Sequence, residues 1–159
     1  MSDASFHDVE PGPLSLRAEG SEDISVLSML VQDAVLTGAD ITFDRKRRQL
    51  AMLINRFRWE DAEAAEREGR DFERVRALLV ISDITGLSSD GIRRDDPEEV
   101  LSLLALAWQP GEDGTGRLLL EFAGDGTIAA DVECISVDLR DVTRPYAANS
   151  RHMPRHDDA

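Results

Sequence analysis

Aromatic residues make up only 5% of this 159-residue chain, and cysteine occurs once, at Cys134. A single thiol cannot close an internal disulfide, and the scarcity of rings removes the usual stacking platform for single-stranded nucleic acid. Basic residues are few beside acidic ones: 18 Lys and Arg stand against 32 Asp and Glu, a formal net charge of −14. That balance disfavours general binding to nucleic acid or to an anionic membrane surface, while leaving room for a local basic patch. No apolar run approaches the roughly 20 residues of a membrane-spanning helix. Met1–Pro13 is acidic and polar, without the apolar core of a signal peptide. The expectation is a cytoplasmic protein with no nucleic-acid and no membrane partner.

Catalytic and metal-binding constellations are equally sparse. The three histidines, His7, His152 and His156, all fall in segments that read as tails, and Pro154 interrupts the helical spacing of the last two. No histidine stands in a core segment to act as general base beside a serine or the cysteine, so a triad is not expected. Cys134 lies next to Glu133 and close to Asp131. Adjacent acids oppose thiolate formation, and the expectation is a buried structural thiol. Neither Asp90-Gly91 nor Gly124-Asp125-Gly126 has the spacing of an EF-hand or a P-loop. No cofactor and no metal are expected.

What the chain does contain is strand-like periodicity around one amphipathic helix. Met1–Pro13 reads as a disordered leader, residues 14–145 as a single globular domain, and residues 146–159 as a polar tail. Leu14–Ala18 suits a short strand. Gly20-Ser21 introduces a helix whose Ile24, Leu27, Val31 and Val35 share a face and which ends at Gly38. Ile41–Phe43 and Gln49–Glu60 are strand-like, joined by the basic turn Arg45–Arg48, which reads as a solvated hairpin turn. Asp61–Asp71 is a helical tip or a loop, and Phe72–Ile84 is a returning strand. Gly86–Pro97 is rich in serine, aspartate and glycine and reads as a connection. Leu101–Trp108 is apolar on both sides. Arg117–Ala123 and Thr127–Val132 form a hairpin about Gly124-Asp125-Gly126, with Leu118, Leu120 and Phe122 on the same face as Ile128, Ala130 and Val132. Glu133–Val142 fits both periods, with a slight lean to a short helix.

The candidate site is a set of arginines. In the antiparallel register that best matches the apolar residues of Leu50–Trp59 and Phe72–Ile84, Arg58 faces Arg74 and Arg56 faces Arg76. Like charges directly opposite destabilise a strand pair, so an anion is expected near them. It comes either from internal acids, namely Glu73, Glu121, Asp131 or the acidic segment Asp61–Asp71, or from a ligand or partner gripped by Arg56, Arg58, Arg74 and Arg76; a further reading has the arginine stems cover apolar surface with their heads in water. A slip of one residue would send these side chains to opposite faces.

The segments Leu53–Glu60, Phe72–Val75 and Asp131–Ile135 resemble an uncharacterised family of small bacterial proteins, domain-of-unknown-function family 2948, over about Leu14 to His156. The resemblance implies no activity, cofactor or site residue.

The fold expected is α+β: an N-terminal helix packed on a curved, mainly antiparallel sheet of about six or seven strands, or a small barrel of PH-like architecture. Because both sides of Leu101–Trp108 are apolar, the sheet has to curl, be covered, or hide a face in a homo-oligomer. The function expected is a non-enzymatic interaction or adaptor domain that binds an acidic protein partner through the arginine face. The alternative is a sensor for a small anionic ligand, a phosphate or carboxylate metabolite; an enzyme comes third.

Overall fold

The computed structural model describes residues 12–93 and 96–148. The elements in chain order are β1 (Ser15–Ala18), α1 (Ser21–Leu30), β2 (Ala34–Thr37), β3 (Ile41–Asp44), β4 (Gln49–Phe57), α2 (Trp59–Glu68), β5 (Glu73–Ile81), β6 (Ile84–Asp90), β7 (Val100–Pro110), β8 (Gly116–Phe122), β9 (Thr127–Val132), β10 (Val137–Asp141) and β11 (Tyr146–Ala147). Among the described residues, two α-helices and a short 3-10 helix at Gly38–Asp40 accompany one eleven-stranded antiparallel sheet, so the fold is α+β with sheet dominant. The main path runs β1-β10-β5-β4-β2-β7-β8-β9-β6, with β3 added to β4 and β11 to β5. This path does not close, and the small-barrel alternative is corrected to an open sheet with β1 and β6 at its ends.

Alternation builds the core. Leu50, Met52 and Ile54 of β4 stand opposite Ile81, Leu79 and Ala77 of β5, and all six are buried. The β8–β9 hairpin adds Leu118, Leu120, Phe122, Ile128, Ala130 and Val132 to the same cluster. Left-handed Gly124 and Asp125 turn that hairpin. Ile24, Leu27 and Leu30 of α1 belong to this cluster too, and Ser28 Oγ accepts the N–H of Leu106 in β7 at 3.0 Å.

Several segments depart from the sequence reading. The first helix stops at Leu30 instead of running on to Gly38. Asp33 adopts φ 65° and donates its N–H to Leu103 O at 2.8 Å, and Ala34–Thr37 then pairs with β7. Sheet pairing here overrides the helical spacing of Val31 and Val35. The polar run at Ile84–Asp90 is a strand on β9, with a bulge between Ile84 and Gly86. Val137–Asp141 is a strand, not a helix, held between β1 and β5. Tyr146 and Ala147, read as the start of a tail, pair with Arg74 and Glu73.

The two-sided apolarity of β7 has a local cause. A bulge between Leu103 and Ala105 inserts one residue, so the buried positions change from Leu101 and Leu103 to Leu106. Leu103, Leu106 and Trp108 then lie opposite Phe122, Leu120 and Leu118. No second fully apolar face is created.

Candidate functional site

The pairing of β4 with β5 is displaced by one residue from the register expected. Arg56 lies opposite Val75, Asn55 opposite Arg76, and Phe57 opposite Arg74. The four arginines therefore do not share a face. The one-residue slip adds Arg56 to the inner row of Leu50, Met52 and Ile54, and leaves Arg74 and Arg76 on the outer side. The like-charge opposition is relieved by register itself.

Arg56 is completely buried, and two carboxylates neutralise it. Nη1 and Nη2 donate to Glu60 Oε1 and Oε2 at 2.8 and 2.6 Å; Nε and Nη2 donate to Asp141 Oδ1 and Oδ2, each at 3.0 Å. Only 2% of each carboxylate side chain is exposed. Burial works to lower the Arg56 pKa, but the hydrogen bonds and charges of Glu60 and Asp141 outweigh it and hold the guanidinium above its ordinary value. Asp141 Oδ2 also accepts the Leu14 N–H at 2.9 Å. The geometry follows from local sequence: β4 ends at Phe57, α2 begins two residues on, and Glu60 arrives four residues after Arg56.

Arg58 immediately precedes α2. Its Nη1 pairs with Glu73 and lies 3.6 Å from Asp61 Oδ2, while its N–H donates to Glu73 O at 2.9 Å. Trp59 Nε1 donates to Gln32 O at 2.9 Å, and the Phe57 ring packs on Trp59 and Phe72. Arg56 and Arg58 are thus engaged with internal acids, Glu73 and Asp61 of the acidic segment among those expected and Glu60 and Asp141 in addition, while Asp131 pairs with Arg117 instead.

The outer side is different. Arg74, Arg76, Leu78 and Val80 alternate away from the core row of Ala77, Leu79 and Ile81. Leu78 is flanked by Leu53 on β4 and by Arg140 on β10. Arg76 and Arg140 are exposed; Arg74 is partly buried and donates to Asn55 O and Oδ1 at 3.1 and 3.3 Å. Among the described residues, none of these three arginines lies in a salt bridge. Burial pulls the Arg74 pKa down, with weaker opposition from Tyr146 and Asp33. Tyr146, 42% exposed, sits opposite Arg74 and accepts a hydrogen bond from Asn55 Nδ2. Leu53, Leu78 and Val80 are partly exposed and stand outside the core cluster. Sequence reasoning missed Arg140 because its segment fitted a helix; strand alternation of Val137 and Leu139 was the available signal.

Other candidates fall elsewhere. Cys134 is exposed, contrary to the buried thiol expected, because it sits in the connection between β9 and β10. Its Sγ donates to Asp83 Oδ2 at 3.4 Å. Partial desolvation, then Asp83 and Glu133, push the thiol pKa up. His7, His152 and His156 lie outside the described residues. Among the described residues no group of three or more His, Cys, Asp or Glu is placed to hold a metal ion, and no helix is long and apolar enough to cross a membrane. A cavity of about 830 Å³ opens between β3 and β6, lined in part by Arg45 and Arg48 of the basic turn.

The match to a family model covers residues 14–156. The chain belongs to the family described as Protein of unknown function (DUF2948). No curated protein and no solved structure matches it. The family description carries no activity, so the reading of this DUF2948 member rests on its own side chains.

Proposed function

We propose that this DUF2948 chain is an interaction domain that docks an acidic, partly apolar segment of a protein partner on the outer face of β4, β5 and β10. One observation carries the reading. On a chain of net charge −14, Arg74, Arg76 and Arg140 gather on one face without a salt bridge among the described residues, around partly exposed Leu53, Leu78 and Val80. Guanidinium groups suit bidentate contact with carboxylates, and apolar side chains between them supply contact area that water does not favour. Tyr146 adds an aromatic edge of the kind enriched at interfaces. The exposed free thiol at Cys134 suits the reducing cytoplasm as the place of action.

The test is a fluorescence-anisotropy titration with a labelled peptide of alternating Glu and Leu, against a Lys and Leu control. The wild type should bind the acidic peptide alone, and more weakly as salt rises. The double variant Arg76→Glu/Arg140→Glu should lose about tenfold or more in affinity. Equal binding by the variant, or no discrimination between the peptides, overturns the proposal.

A further inference from the structure

We infer that the cavity between β3 and β6 is a second, separate binding site, and that it takes a free small amphiphile with an apolar body and one negative charge. Its volume, about 830 Å³, lies within the range of small-molecule pockets. Phe43, Leu50, Ile84, Leu87 and Ile128 make the lining largely apolar. The charge sits at the rim. Arg48 is already spent: Nη1 lies 2.6 Å from Glu133 Oε1, and Nη2 3.8 Å from Asp83 Oδ1. Arg45 lines the same cavity, is exposed, and makes no ion pair among the described residues. One unspent guanidinium over an apolar lining matches one anionic head on a hydrocarbon body.

The two strands that bound the cavity argue against a peptide strand as occupant. β3 has only four residues, and β6 carries the bulge between Ile84 and Gly86; both features blunt a sheet edge against strand addition. The site is distinct from the outer face, since Arg45 lies in the β3–β4 turn and Arg74, Arg76 and Arg140 lie on other strands.

Dodecanoate, held below its micelle concentration, is the probe, followed by amide chemical shifts in the whole chain. Dodecyltrimethylammonium and phosphatidylglycerol vesicles run beside it. Arg45→Glu removes the charge and Ser89→Trp, at a partly buried position of the cavity lining opposite Ile128, fills the space. The expected result is saturable shifts at Leu87 and Ile128 with dodecanoate, an affinity at least about tenfold lower in each variant, and no comparable binding of the cation. The inference is overturned if dodecanoate gives no saturable shifts there, if either variant binds as tightly as wild type, or if the cation binds equally. It is also overturned if vesicles capture the protein while free dodecanoate does not.

Discussion

Asp141 holds Arg56 with both carboxylate oxygens, Oδ1 to Nε and Oδ2 to Nη2, at 3.0 Å each and across 85 positions of sequence. With Glu60 on the other side, a fully buried cation is met by two nearly buried anions. Breaking such a group by removing one partner costs about 3–5 kcal/mol, because a charge is left behind without solvent. Asp141→Ala should therefore lower the unfolding free energy measured by urea titration by an amount in that range. Arg56→Met alone should be more damaging than Arg56→Met combined with Glu60→Leu and Asp141→Leu, which removes the stranded acids as well. A single variant as stable as wild type would show that the group is not integral to the fold.

The same arginine sets a pH expectation. Its folded pKa is held above the ordinary value, so the stability it contributes is present below the unfolded pKa and is lost only as pH rises through the folded one. Both lie beyond the usual working range. Thermal unfolding of wild type and of Arg56→Met/Glu60→Leu/Asp141→Leu, which leaves no stranded acid to titrate, should keep a constant difference between about pH 7 and 10, as arginine stays charged throughout. A difference that closes on the alkaline side would contradict this.

Gly116 pairs with Pro110 next to the Trp108 ring, and a Cβ built on it would lie 2.5 Å from Gln109 O and in collision with the indole. The obstacle includes backbone, which cannot rotate aside. Gly116→Ala should destabilise by about 1–3 kcal/mol, the usual cost of overpacking, measured by urea denaturation.

Cys134 is accessible yet disfavoured as a thiolate. With its pKa raised, its alkylation by iodoacetamide at about pH 8 should be slower than that of a free cysteine, whose ordinary pKa is about 8.5. Asp83→Asn should move the midpoint of the rate profile down. A profile unchanged by that substitution would assign the shift to desolvation and Glu133.

Arg76→Glu/Arg140→Glu should leave folding stability within about 0.5 kcal/mol of wild type, as surface changes away from packed or paired groups do. A large loss would make these arginines structural rather than a docking face.

Much of the sheet was legible from alternation. The β8–β9 hairpin, with Leu118 against Ala130 and Leu120 against Ile128, follows from its turn and its period of two. What failed was parity. The expected register of β4 on β5 matched apolar residues well, but both strands are apolar on adjacent positions, so a shift of one preserved most matches while sending Arg56 inward. Of the acids that make this tolerable, Glu60 follows Arg56 by four residues at the start of α2, whereas Asp141 comes from a strand far along the chain that no local pattern announces. The bulge in β7 hid a similar change of parity within Leu101–Trp108. Half of the arginine set, Arg74 and Arg76, remains on an open face; its third member, Arg140, depended on reading Val137–Asp141 as a strand.

The pairing of β1 with β10 has a consequence for synthesis. Ser15–Ala18 leaves the ribosome well ahead of Val137–Asp141, the strand it joins along the β1–β10-β5 part of the path. Until that late segment emerges, the nascent chain holds an unpaired β1 and an uncovered β5 edge, and Arg56 lacks one of its two carboxylates. Long-range pairing of this kind delays folding and leaves strand edges open to other chains. The finished sheet is thus completed from its outermost early strand last, and the interval before Asp141 arrives is when the growing chain is most open to misassembly.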